Sequence, residues 1–423
     1  MVRVCDAIMG SGKSSAAITY MNEHPDQLFI YVTPYVDEDK RIVAACDNVD
    51  IYEPDKDIQH SWSKVLYTVD MVRDRKNIAT THQAFRRYPP ELVDLIRENE
   101  YTLIIDEDVD VLEPVGEDAG DIELMVKAGH LQETRPDVLR MVDGSYRGKK
   151  FVDTVHLLEN RDLVCCVEEA DEKRHTKEKR SLYFWQFPAE LLTAFKDVYI
   201  LTYLFGGQHL HHFLHMNDIP YERVRISRDE DGTYRFDKNG TYVPEYVYSL
   251  YDKVHVYDKP NLNRVGDRPY SLSGSWLKRK TKKELKPLKN NIYNFFHNIR
   301  KAKAHDLMWT TYKASTSKLE GAGYSSKFVP FNKRATNAYG NIHNGAYCVN
   351  VFMNTGQLRM YHDRGVEVDQ DLYALSTMVQ WVWRMAIRNG EEIWLYIPSK
   401  RMRTLFLDWV DTVSAGLEVC PWS

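Results

Sequence analysis

The chain has no long apolar run. Among its 423 residues, nothing approaches the roughly 18 consecutive apolar side chains that cross a bilayer. The opening MVRVCDAIMGSGKSS lacks the apolar core and cleavage site of a secretory leader, so no membrane association is expected. Cysteine is scarce: Cys5, Cys46, Cys165, Cys166, Cys348 and Cys420, with no C-x-x-C pair. Adjacent Cys165 and Cys166 chelate one ion poorly, so no zinc site is expected. The thiols read as small core hydrophobes in a reducing compartment. Positive charge is not in excess either, with 56 Lys and Arg against 61 Asp and Glu and a net charge of -5. That excludes a globally basic nucleic-acid coat protein and leaves nucleic-acid contact to local patches. Internal repeats and low-complexity segments are absent. With 43% hydrophobic and 28% charged residues, the composition is that of a folded chain of about two or three domains.

The most informative stretch comes first. Val2, Val4 and Ala7 suit a short strand, and SAAITYMN suits a helix that stops before Pro25. Between them lies Ala7-Ile8-Met9-Gly10-Ser11-Gly12-Lys13-Ser14. Strand, glycine-rich turn and helix in that order make a phosphate-binding loop. Gly10 and Gly12 let the backbone N–H groups, with that of Ser11, approach a β-phosphate, and the helix N-terminus adds partial positive charge. Lys13 reaches the β- and γ-phosphates, and the Ser14 hydroxyl holds Mg²⁺.

Such a loop needs an acidic strand. Tyr101-Thr102-Leu103-Ile104-Ile105 is an apolar run ending in Asp106-Glu107-Asp108. In this setting Asp106 holds Mg²⁺ through water and Glu107 is the general base that polarises the attacking water. Standing alone, the same run would be a buried strand with a solvated acidic turn. Two further strands, at 28–32 and 77–80, end in Thr33-Pro34 and Thr81-His82. Threonine hydroxyls at strand ends suit sequence-independent phosphodiester contacts, although threonine is also an ordinary strand residue.

A long interval precedes the next apolar strand, at 198–205, and contains the solvated charged run 171–180. Residues from about 112 to 190 read as an elaboration of the first domain, which closes at Gly206-Gly207. His211 and His215, one helical turn apart, have no acidic or cysteine companion and read as part of an ordinary helix. The second half is α/β again, with strands near 254–257, 308–311, 346–351 and 392–397. Asp369 is expected to cap a helix from about 370 to 388, ended by Asn389-Gly390. On it Gln380, Arg384 and Arg388 recur at i, i+4 and i+8, along one face, where guanidinium groups can meet a γ-phosphate. The basic run 278–289, including Lys280, Lys282 and Lys283, is the strongest local positive field and a candidate phosphate track. Tyr293, Phe295 and Phe296 beside it suit either core or base stacking.

Taken in order, A-x-x-G-x-G-K-S at 7–14, Thr33-Pro34, Thr80-Thr81-His82, Asp106-Glu107, Leu201-Thr202 and Gln380/Arg384 follow superfamily 2 helicase motifs I, Ia, Ic, II, III and VI. The chain resembles the DEAD-like replication helicases of tailed bacteriophages. FKDVYILTYLF, MWTTYK, RATNAY and ALSTMVQWVWRMAIRNGEEIWLYIPSKRMR carry the likeness further, over nearly the whole chain. The resemblance implies an α/β fold of two RecA-like P-loop domains, 1–207 with the insertion at about 112–190, and 208–423, with ATP and Mg²⁺ in the cleft between them. It also implies a nucleic-acid partner, DNA in phage replication, with other phage replication proteins, in the cytoplasm of a bacterial host. Arg334-Ala335-Thr336-Asn337 stands where motif V is expected, with Thr336 and Asn337 as nucleic-acid contacts. Departures are Asp-Glu-Asp-Val in motif II, Trp383 in place of the motif VI glycine, and Arg388 one residue late. Two rival readings are a duplex-remodelling or origin-binding ATPase and a terminase-like packaging motor. The second would need a nuclease domain with clustered carboxylates, which is not apparent.

Overall fold

The computed structural model describes residues 1–54, 63–115, 119–135, 138–142, 146–148, 151, 155, 162–168, 180–332 and 339–419. Its chain divides into two compact units. The first comprises 1–7, 12–242 and 354–368; the second comprises 8–11, 243–353 and 369–423.

The first unit is built on a seven-stranded parallel sheet. In chain order its strands are β1 (Val2–Asp6), β2 (Phe29–Thr33), β3 (Ile51–Tyr52), β4 (Asn77–Thr81), β5 (Thr102–Asp106), then β11 (Asp197–Thr202) and β12 (Tyr221–Arg223). Their spatial order is β12-β1-β11-β5-β2-β4-β3. The central strands FIYVT and TLIID are buried almost throughout. Such continuous apolar strands are what a parallel sheet covered on both faces requires. Phe29, Tyr31, Ile104, Tyr199 and Leu201 share one core cluster with Ala16, Ala17 and Met21 of the helix α1 (Lys13–Glu23). Because β1 and β5 flank β11, the turn after β1 and the end of β5 lie at the same edge of the sheet. That is where open parallel sheets bind ligands.

The span expected to be an elaboration forms its own antiparallel sheet. Its strands are β6 (Leu112–Pro114), β7 (Leu131–Arg135), β8 (Val138–Met141), β9 (Asp162–Glu168) and β10 (Arg180–Gln186), in spatial order β6-β10-β9-β8-β7. Most of the charged run at 171–180 lies outside the described residues. A helix from the distant segment Thr355–His362 joins this layer, with Gln357 Nε2 donating to the Leu112 carbonyl at 2.6 Å. Gly356 is required there, since a Cβ would stand 2.6 Å from Phe184. An antiparallel hairpin, β13 (Arg225–Arg228) with β14 (Tyr234–Asp237), packs on α1.

The expected division at 207/208 therefore falls inside the first unit, which continues to Tyr242 and takes back residues 354–368. The physical reason is pairing: β12 adds to β1 in parallel, Val2 opposite Tyr221, and closes that sheet edge.

The second unit has a four-stranded parallel sheet: β15 (Val254–Val256), β16 (Leu307–Thr310), β17 (Asn344–Tyr347) and β18 (Ile393–Tyr396), ordered β15-β18-β17-β16. Phe295 and Phe296 belong to its core with Leu285, Leu288, Trp309 and Tyr396; of the three aromatics beside the basic run, only Tyr293 is exposed. The long helix is shorter than expected. It runs Gln370–Val382, and the chain is extended at Met385 before a short 3₁₀ turn, Ala386–Asn389, ended by Gly390 at φ 77°. Trp381, Trp383 and Met385 are all buried, and side chains two positions apart point to opposite sides of a continuous helix. Gln380, Arg384 and Arg388 consequently do not share one helical face. Gln380 is half-buried, Arg384 buried and Arg388 exposed.

Candidate active site

The turn after β1 has the backbone that its glycines permit. Gly10 and Gly12 have φ of 77° and 86°, left-handed values open to glycine at little cost. Gly12 is the N-cap of α1, and no side chain caps that helix. The N–H groups of its first turn have no intrahelical acceptor, and with the helix dipole they form a cradle for an anion.

Three side chains meet at the end of β5. Ser14 Oγ donates to Asp106 Oδ2 at 2.8 Å, and Tyr31 OH donates to the same oxygen at 3.2 Å. His82 Nε2 is 2.8 Å from the Asp106 backbone carbonyl. Lys13 Nζ donates to the Ala7 carbonyl at 2.5 Å, lying back along its own loop. Enclosure raises the Asp106 pKa, against the Ser14 hydrogen bond and the Lys13 charge. The same enclosure lowers the Lys13 pKa, against the nearby Cys5 thiol and the Asp106 and Asp6 carboxylates. An acid and an ammonium thus stand in one poorly hydrated place, where added charges interact strongly.

This arrangement fits a nucleotide with Mg²⁺. A serine hydroxyl and a carboxylate already 2.8 Å apart are a hard-oxygen pair of the kind Mg²⁺ takes alongside phosphate oxygens and water. Glu107 follows at φ 67°, with its N–H on the Leu201 carbonyl at 2.8 Å. A non-glycine residue in that region is uncommon and is enriched at functional sites.

Sequence reasoning overlooked two groups here. Asp6, at the end of β1, accepts hydrogen bonds from the Leu204 and Phe205 N–H groups at 2.8 and 3.1 Å. It ties the strand that enters the loop to the turn after β11. Its signal was the acidic residue that closes VRVCD. Tyr234, on β14, lies so close to Gly12 that a Cβ there would meet its ring at 2.2 Å; nothing in the local sequence announces that contact.

The nucleic-acid candidates fall in both units, and in the first Thr33 and Thr81 are register partners on β2 and β4. Thr33 is fully buried, its hydroxyl donating to Asp39 Oδ1 at 2.6 Å and standing 2.9 Å from the Tyr35 carbonyl. Thr81 caps the short helix His82–Phe85 by accepting from the Ala84 N–H. His82 is buried and turned toward Asp106. The hydroxyl of Thr33 and the ring of His82 are thus internal, because short polar side chains at strand ends are recruited to hold the turns that follow. In the second unit, Thr281 and Glu284 form a capping box that starts the helix Lys282–Tyr293. Lys280 is paired with Glu284 at 2.7 Å, while Lys282 and Lys283 are exposed. Thr336 and Asn337 lie outside the described residues.

Fold and loop together define an α/β protein of two RecA-like, parallel-sheet domains with an insertion in the first and a P-loop at its first strand. The chain belongs to the YonV family. It is 35% identical over 421 residues to the SPbeta prophage-derived uncharacterized protein YonV of Bacillus subtilis strain 168, covering 97% of this chain and 98% of that protein. Residues 248–410 match the YonV C-terminal Rossmann-like domain. Among solved structures, apo XPD is similar over 99% of this chain and 96% of that one, at a TM-score of 0.50 and 10% identity. An XPD helicase structure matches at a TM-score of 0.48 and 10% identity, over 99% and 95%. At such identity the likeness is one of fold. Among the described residues, no helix is long and apolar enough to cross a membrane.

Proposed function

We propose that this chain is an ATP-dependent helicase or translocase acting on nucleic acid, on DNA in phage replication; its prophage-derived relative supports the phage setting alone. The observation that carries it is the Ser14–Asp106 hydrogen bond at the mouth of a glycine turn whose helix has no side-chain cap. In this reading the first turn of α1 and Lys13 hold the β- and γ-phosphates, and Ser14 and Asp106 hold Mg²⁺. The bound metal would neutralise developing phosphate charge. Glu107 accepts the proton of the attacking water. Gln380, Arg384 and Arg388 are proposed to respond to the γ-phosphate, with Arg384 foremost, and the basic run containing Lys280, Lys282 and Lys283 to hold the phosphodiester backbone. The fold shared with XPD supports coupling of hydrolysis to nucleic acid.

The test is an ATPase assay run in parallel with single-stranded DNA, duplex DNA, forked DNA and RNA, followed by strand displacement on whichever stimulates. Stimulated hydrolysis with displacement is expected. Stimulation without displacement would assign the chain to duplex remodelling. No hydrolysis under any condition would remove the reading.

A further inference from the structure

Tyr270 is the most exposed aromatic among the described residues, at 70%, and yet it is not on a loose loop. The carbonyls on either side of it, of Pro269 and Ser271, both accept from the side-chain amide of Asn350, at 2.8 and 3.1 Å. Asn350 is fully buried, and its backbone N–H donates to the Leu272 carbonyl at 3.0 Å. Leu272 itself is held at φ 67°. Asn350 Oδ1 is in turn gripped by Arg401 at 3.0 Å, and Arg401 is anchored on Asp371 and on the Val351 and Gln370 carbonyls, each at 2.7 Å. The Arg401 guanidinium lies 4.4 Å from the Phe352 ring centre, and Phe352 stands 5.8 Å from Tyr270.

A buried amide, a half-buried guanidinium with its partners and a left-handed leucine thus fix an aromatic that buries little of itself. An exposed ring contributes little hydrophobic stabilisation, so the ordering points to a flat ligand. Its charge is indicated by the chain around it. Residues 259–289 carry ten Lys and Arg against two acidic residues in a protein of net charge -5. Ser273, three residues after Tyr270, caps the helix Gly274–Arg279 that displays Lys278 and Arg279. A planar, apolar face followed directly by a row of cations matches an unpaired base and its phosphates.

We propose that Tyr270, backed by Phe352, is a stacking platform for one unpaired base of single-stranded nucleic acid. This rests on the nucleic-acid reading above, and the experiment separates the two. Full-length protein is titrated with oligonucleotides carrying a single 2-aminopurine at successive positions, as single strand and as duplex. Wild type should quench or shift the fluorescence at one register on the single strand and not on the duplex. Tyr270→Ala should abolish that signal and weaken single-strand binding roughly 5- to 150-fold, the range of a lost base–aromatic stack. Tyr270→Phe should retain both, and an abasic site at the responsive register should mimic Tyr270→Ala. If Tyr270→Ala, with unchanged thermal melting, keeps affinity and signal, the platform is wrong while the nucleic-acid reading stands. The same holds if wild type responds equally on duplex. If wild type binds neither single-stranded DNA nor RNA, both fall, and Tyr270 belongs to a protein interface.

Discussion

At the scale of single residues, the candidate chemistry depends on where two charges sit. Lys13 rests on the Ala7 carbonyl, six residues back, a position from which a phosphate would draw it. Lys13→Ala should abolish hydrolysis by removing the only cation that the loop itself offers the phosphates. Glu107→Gln should keep nucleotide binding and slow turnover by roughly 10²–10⁴-fold, the scale of a lost general base. Turnover of purified variants, with nucleotide affinity measured separately, checks both. Near-normal turnover in the two would remove the assignment. These positions were legible because they depend on local rules: glycine at positive φ, a lysine after it, an apolar strand before an aspartate. Asp6 was not read, because its partners, Leu204 and Phe205, stand almost two hundred residues away along the chain. The internal bonds of Thr33 and His82 were hidden for a related reason. Their polar atoms are used by neighbours that only the folded chain supplies.

Elements were legible where periodicity was strong and less so where packing decided the ends. The cap at Asp369 is as the sequence suggests: its carboxylate accepts from the Asp371 and Leu372 N–H groups at 2.8 and 2.9 Å. Asp369→Ala should cost about 1 kcal/mol, the usual worth of such a cap, and Asp369→Asn clearly less; urea midpoints at constant slope measure both. The far end of the same helix is set by burial of Trp383 and Met385, which a helical period cannot reveal. That is why Arg384 and Arg388 part company. A second device binds the start of β17. His343 Nδ1 lies 2.8 Å from Asp306 and Nε2 2.7 Å from Glu391, and two carboxylates on one ring require both nitrogens to donate, hence an imidazolium. Partial burial opposes that charge, but the hydrogen bonds to Glu391 and Asp306 outweigh it and raise the pKa above the ordinary histidine value. A raised folded-state pKa gives stability that is complete below the unfolded value and is lost as pH rises through the folded one. His343→Ala should therefore lower the melting temperature near pH 6 and lower it much less near pH 9. An equal loss at both would mean that packing, not charge, holds the clamp.

At the scale of the whole molecule, charge is distributed against the net balance. The chain carries -5 overall, yet residues 259–289 carry an excess of eight positive charges. Composition alone revealed the run 278–289 within it, but not which of its lysines are free to act. Lys280 is paired with Glu284 and lies 5.8 Å from the Trp276 ring centre, whereas Lys282 and Lys283 project from the first turn of a capped helix. The return of residues 354–368 to the first unit was likewise hidden, since a glycine-tight contact between Gly356 and Phe184 leaves no trace in either local pattern. The lysines offer the sharper test. Each phosphate neutralised contributes about 0.7 to the slope of log affinity against log salt on a single strand. Lys282→Ala with Lys283→Ala should reduce the slope by about 1.4 and weaken binding alike across sequences. Adding Lys280→Ala should change the slope little further, because its charge is already engaged by Glu284. If instead the third substitution lowers the slope as much as each of the others, nucleic acid displaces the Glu284 pair and the run acts as one continuous track. If none of the three moves the slope, the helix is a solvated face, and the phosphates run elsewhere.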